Sequence, residues 1–162
     1  MAVGGAIVNS VVIYATRSGN TRQVATAIAD ELRTHGEVHV LSAEEAQAAL
    51  PGQVDLLVVG GPTEGHGATE PIVRFLDRLG PQMLDGVAVA AFDTRLRWPR
   101  VLSGSAAAII ARRLEAAGGR VVVPAESFLV SRKPELEPGE LERAPSWAAS
   151  VVAAVGPLAV PA

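Results

Sequence analysis

The chain has 162 residues, 49% of them hydrophobic and 19% charged, with 14 basic against 17 acidic side chains for a formal net charge of −3. That length is enough for a core without disulfide or metal staples. The lack of cysteine excludes thiol redox chemistry and Cys-ligated metal, and the mild acidic balance argues against nucleic acid, which calls for a clustered basic face. With only three Phe, two Trp and one Tyr, the core has to be built from Ala, Val, Leu and Ile.

In chain order, the opening MAVGGAIVNS lacks the positive stretch of a signal peptide. Residues 8–15 then read as a first, buried strand. From Thr21 a helix carries Val24, Ile28 and Leu32 at four-residue spacing and stops at Gly36. EVHVL, 37–41, alternates polar and apolar residues as an edge strand does, and AEEAQAAL follows as a short helical stretch. DLLVVG, 55–60, is continuously apolar and so fits a strand covered on both faces. A glycine-rich loop leads into a helix with Pro71 in its first turn and Ile72, Phe75, Leu76 and Leu79 on one side.

VAVAAF, 87–92, is the fourth strand. Residues 105–117 are helical and closed by Gly118-Gly119, with Ser103, Gly104 and Ser105 as candidate caps. RVVVP, 120–124, opens the fifth strand, which ESFLV extends. Residues 140–155 form the last helix, where Pro145 predicts a kink or a late start. The uncharged end, PSWAASVVAAVGPLAVPA, is broken by inner prolines and Gly156, and reads as a buried helix with a loose tail rather than a membrane span.

Strands alternating with helices predict one doubly wound α/β domain over 1–162, with a parallel sheet covered on both faces and right-handed crossovers. Ligands of such sheets bind beyond the carboxyl ends of the strands. That rim carries three loops: 16–21, 61–69 and 93–104. In the first, TRSGNT, the hydroxyls of Thr16, Ser18 and Thr21 surround a helix start whose free N–H groups attract an anion, and Gly19 permits a backbone conformation that a side chain would obstruct. The competing interpretation is a tight turn capped by Ser18 or Asn20 without a ligand. Neither a Walker loop nor G-x-G-x-x-G is present.

Thr16-Arg17-Ser18-Gly19-Asn20-Thr21 matches T-x-[ST]-G-x-[ST] and, together with DLLVVGGPT after the third strand, resembles the flavodoxin-like family, short-chain type. The resemblance implies a three-layer sandwich with five strands in the order 2-1-3-4-5. It also implies FMN, with its phosphate on Thr16, Arg17, Ser18, Gly19, Asn20 and Thr21. The ring would lie between Pro62, Thr63, Glu64, Gly65, His66 and Gly67 on one side and Asp93, Thr94, Arg95 and Trp98 on the other. His66 and Trp98 are the aromatic candidates for ring contact; the alternatives are an exposed loop histidine and an indole packed elsewhere. Arg17, Arg95, Arg97 and Arg100, with His66, form either a solvated rim or a cationic surround. The latter would stabilise a reduced flavin by roughly 1 kcal/mol or more at an effective dielectric near 20 and raise its second reduction step.

No carboxylate pair ends the first strand, His35, His39 and His66 lack metal-ligand spacing, and no G-x-S-x-G elbow occurs. The expected function is electron transfer by an FMN-binding protein, to a redox partner protein or a small-molecule acceptor. The alternatives are an FMN-dependent NAD(P)H or quinone-type reductase, and a flavodoxin-fold binding module without flavin. A cytoplasmic monomer or homodimer, with neither membrane nor nucleic acid as partner, is the expected setting.

Overall fold

Strand β1 (Ser10–Tyr14) is apolar after its first residue because it is central, with a parallel neighbour on each side. In the computed structural model, which describes residues 7–46, 53–65, 67–97 and 104–157, β1 lies between β2 (Val38–Ser42) and β3 (Leu56–Glu64). Beyond β3 comes β5 (Ala88–Leu96), and beyond that the fifth position, shared by β6 (Arg120–Val121) and β7 (Glu126–Val130). This is the predicted winding, 2-1-3-4-5, with the last position in two pieces. Val122 N–H still reaches the Val89 carbonyl, and the ladder then lapses before Glu126, over a stretch that contains Pro124, a residue with no N–H to donate.

Alternation along each strand divides the core. Val12, Val58, Ala90 and Phe92 face α1 (Asn20–Leu32) and α4 (Glu140–Val155). Val11, Ile13, Leu57, Val59, Val89 and Ala91 face α2 (Glu70–Asp77) and α3 (Ala106–Ala116). Half of the aromatic residues sit in one cluster: Phe92, Phe128 and Trp147 meet edge to face with centroids 6.0–6.1 Å apart, each pair adding about 0.5–1.5 kcal/mol beyond area burial. Gly60 lies opposite Phe92 in register, and a Cβ there would stand 2.1 Å from the ring. Only glycine fits that strand position.

Three elements differ from expectation. β3 and β5 run four residues past their predicted ends, pairing Gly61 with Asp93 and Pro62 with Thr94. The apolar pattern stops where the strands leave the core, but backbone pairing continues regardless of side chain. The glycine-rich loop is therefore a hairpin, with β4 (Gly67–Ala68) antiparallel to Thr63–Glu64. Helix α4 starts at Glu140 and passes through Pro145 without a late start. Gly139, at φ +87°, turns the chain into it, and Trp147, Ala148, Val151 and Val155 hold it to the sheet. Of AEEAQAAL, residues 43–45 form a turn, and 47–50 lie outside the described residues. No helix among the described residues is long and apolar enough to cross a membrane.

Candidate functional site

The carboxyl ends of β1, β3, β5 and β7 converge on the rim where the first loop enters α1. Gly19 precedes that helix at φ +93°, and a Cβ built on it meets nothing within 4 Å, so the space above the turn is open. Gly19 N–H donates to Thr16 Oγ1 at 3.0 Å, and Asn20 Nδ2 donates to Ser18 Oγ at 3.2 Å and to the Pro134 carbonyl at 2.8 Å. In the bonds to Thr16 and Ser18 the hydroxyl oxygen accepts, which leaves each hydroxyl proton available to donate outward. No side chain caps α1, and its first turn holds no acidic residue. Two hydroxyl donors and the unpaired N–H groups of a helix start are the donor set an oxyanion requires.

Two cavities adjoin this turn. The larger, about 580 Å³, is bounded by Arg17, Ser18 and Asn20 of the first loop, Pro62–Glu64 of β3, Thr94–Leu96 of β5, and Val130, Ser131, Arg132 and Pro134 beyond β7. The smaller, about 350 Å³, lies between Ala15–Arg17 and the start of α2 at Thr69–Pro71. Arg17, Pro62 and Glu64 line both, and the Arg17 guanidinium is ion-paired to the Glu64 carboxylate across the partition.

Two residues expected at the site lie beneath it. Asp93 is fully buried, and its Oδ2 accepts from Thr63 Oγ1, Ser105 Oγ and Ala107 N–H, each at 3.0 Å. Thr63 Oγ1 in turn accepts from Ala106 N–H at 2.9 Å. Asp93 thus supplies acceptors to the start of α3 and anchors a cavity-wall residue, instead of facing the cavity. Thr21 is likewise buried, its hydroxyl 2.7 Å from that of Thr94. Pro62, Thr63, Glu64 and Thr94 line the larger cavity as the rim topology implies. Arg95 also lines it, while its Nε donates to Ser127 Oγ at 2.9 Å. Gly65 takes the exposed hairpin turn at φ +52°, and Gly67 returns the chain in β4. His66, Trp98 and Arg100 fall outside the described residues.

The cationic rim is compensated at two positions. Arg17 has Glu64, and Arg97 has Glu137, whose hydrogen bond and charge hold the Arg97 guanidinium above its ordinary pKa. Of the four rim arginines, Arg17 and Arg97 thus carry a carboxylate partner. The contribution from beyond β7 was not foreseen at all. A usable signal existed: in a parallel sheet the fifth strand also ends at this rim, so the SRKP that follows ESFLV had to lie beside the first loop.

The flavodoxin family model matches residues 12–147. Among solved structures, the chain is similar to oxidised flavodoxin 1 from Bacillus cereus, with 25% identity and a TM-score of 0.75 over 90% of this chain and 97% of that one. It is similar to a flavodoxin from the domain Archaea, at 22% identity and TM-score 0.74 over 91% and 99% of the two chains. A short-chain flavodoxin associated with a non-canonical PDU bacterial microcompartment superposes with TM-score 0.71 at 22% identity, over 92% and 99%. No curated protein matches the chain. The five-position parallel sheet, the open turn ahead of α1 and a family match from the middle of β1 into α4 together lead to one assignment: the chain belongs to the flavodoxin family.

Proposed function

We propose that this protein binds FMN and transfers electrons to redox partner proteins or a small-molecule acceptor. The observation that carries the reading is the start of α1, uncapped and free of acidic residues, with the Thr16 hydroxyl beside the smaller cavity and the Ser18 hydroxyl beside the larger, each able to donate. At about 580 Å³ the larger cavity falls in the range of roughly 300–1,000 Å³ typical of cofactor sites.

In this reading Thr16, Ser18 and the first N–H groups of α1 hold the phosphate, with Arg17 at its edge. The hairpin at Pro62–Gly65 and the segment Thr94–Leu96 bound the ring, and Pro62, Leu96 and Val130 supply the apolar surface that keeps water away. FMN, when bound, supplies the redox chemistry, and the protein orients it and sets its electrostatic surroundings. Asp93 serves at one remove, fixing the Thr63 hydroxyl so that the hairpin wall stays in place. Gly65, already at positive φ, lets its peptide turn towards the flavin edge.

A fluorescence titration of the apoprotein with FMN, with riboflavin as control, tests this. FMN binding at least about tenfold tighter than riboflavin is expected, a difference of about 1.4 kcal/mol for the phosphate contacts. Equal affinity, or no binding of either, would reject the reading.

A further inference from the structure

The pair Arg17–Glu64 joins the turn expected to hold phosphate to the hairpin expected to border the ring, across 47 residues of sequence. We propose that Arg17 is a cation contested by two anions: the Glu64 carboxylate, which holds it in this structure, and the phosphate of the bound flavin, which displaces that carboxylate. Glu64 is then an internal competitor that sets how strongly the site prefers a phosphorylated over an unphosphorylated ligand. This inference rests on the reading of residues 16–21 as a phosphate site.

Three observations, on Arg17, Glu64 and Glu70, carry it together with the general strength of such pairs. The Arg17 side chain is 79% exposed, and among the described residues its guanidinium bonds to Glu64 alone, so it swings at little cost. An exposed ion pair of this kind is weak, typically below about 1 kcal/mol. A phosphate offers the same fork-shaped acceptor geometry with more charge, and guanidinium binds it bidentately. Pairing with Gly67 holds the Glu64 backbone in the hairpin, so its carboxylate reaches no farther towards residues 16–19 than its own side chain allows. The other carboxylate lining the smaller cavity, Glu70, is engaged by Arg74 on its own helix, which leaves Glu64 as the anion that competes.

The exchange also accounts for the shared partition. Arg17, Pro62 and Glu64 line both cavities, so the exchange moves a guanidinium that the two cavities share. The released carboxylate stays at the hairpin, one residue from the Gly65 turn.

The experiment is a double-mutant cycle in which the ratio of riboflavin Kd to FMN Kd is measured for wild type, Glu64→Gln, Arg17→Gln and the double variant. Arg17 is exposed and Glu64 half-buried, and thermal unfolding midpoints near wild type establish that each variant is folded. In Glu64→Gln the ratio is expected to rise about three- to tenfold, the scale of one weak pair lost plus one repulsion removed. In Arg17→Gln it falls by a similar factor, and adding Glu64→Gln to that background restores less than twofold. A rise of equal size in both backgrounds would replace the exchange with plain repulsion and overturn it. A ratio unchanged or lowered by Glu64→Gln, with wild type still preferring FMN, would overturn the exchange and leave the phosphate reading intact. A wild type that does not distinguish FMN from riboflavin would overturn both.

Discussion

Thr21 and Thr94 share a buried hydrogen bond, Oγ1 to Oγ1 at 2.7 Å, which ties the first turn of α1 to the far end of β5 across 73 residues. Both side chains are almost wholly buried, at 1% and 4% exposure. The bond fixes where the open turn sits relative to the strand that bounds the larger cavity. Removing one hydroxyl strands the other without water, at a cost of about 1–3 kcal/mol, whereas removing both is far less costly. Thr21→Val and Thr94→Val should each lower the urea midpoint, and the double variant should lose clearly less than the sum. Additive losses would mean that the two hydroxyls do not depend on each other.

Asp93 accepts three hydrogen bonds on one oxygen and is fully buried. Asp93→Ala leaves Thr63 and the start of α3 without their acceptor. A loss of about 2–4 kcal/mol is expected from urea unfolding, since several buried donors go unpaired together. FMN affinity should fall in the same variant, because Thr63 is no longer held in the cavity wall. A stability within about 0.5 kcal/mol of wild type, the range of ordinary surface changes, would contradict this account.

Gly60→Ala places a methyl carbon 2.1 Å from the Phe92 ring. Phe92 cannot retreat freely, because Phe128 and Trp147 pack on it at about 6 Å between centroids. Overpacking of this kind costs about 1–3 kcal/mol or more. The variant should show a lower melting midpoint together with an altered near-ultraviolet circular dichroism signal from the aromatic cluster. An unchanged aromatic signal would show that the methyl is absorbed elsewhere.

Glu140 should make stability depend on acid. Hydrogen bonds from Arg143 are the main reason its carboxyl titrates below the ordinary range, helped by the Leu129 N–H and opposed by burial. A carboxyl whose pKa is lower folded than unfolded stabilises the protein above its unfolded pKa, near 4.3, and that contribution disappears as pH falls through the folded value. Glu140→Gln should therefore be less stable than wild type at pH 7 by about 1.5–3 kcal/mol, the scale of a hydrogen bond to a charged group. The difference should shrink as the pH is taken below 4. A gap that stays constant down to pH 3 would assign the loss to packing instead of charge.

Much of the site's frame was readable in advance. TRSGNT between an apolar run and a helix stripe located the open turn, and Pro71 and Ser105 stand at helix starts as their residue types predicted. What escaped sequence analysis was where side chains went once the strands outran their apolar pattern. Asp93 looked like a rim residue because it follows VAVAAF, yet β5 continues to Leu96 and carries Asp93 under α3. The pairing of the rim arginines is not legible in the sequence, because their partners, Glu64 for Arg17 and Glu137 for Arg97, lie 47 and 40 residues away.

Most element types, the doubly wound class and the position of the open turn ahead of α1 were legible from local periodicity, turn chemistry and the handedness of crossovers. Long-range packing set the pairing of Thr21 with Thr94, of Asn20 with the Pro134 carbonyl, and of Arg17 with Glu64. Those partners are set by strand register and by which loops share a rim, and register depends on packing between distant segments that no local pattern encodes.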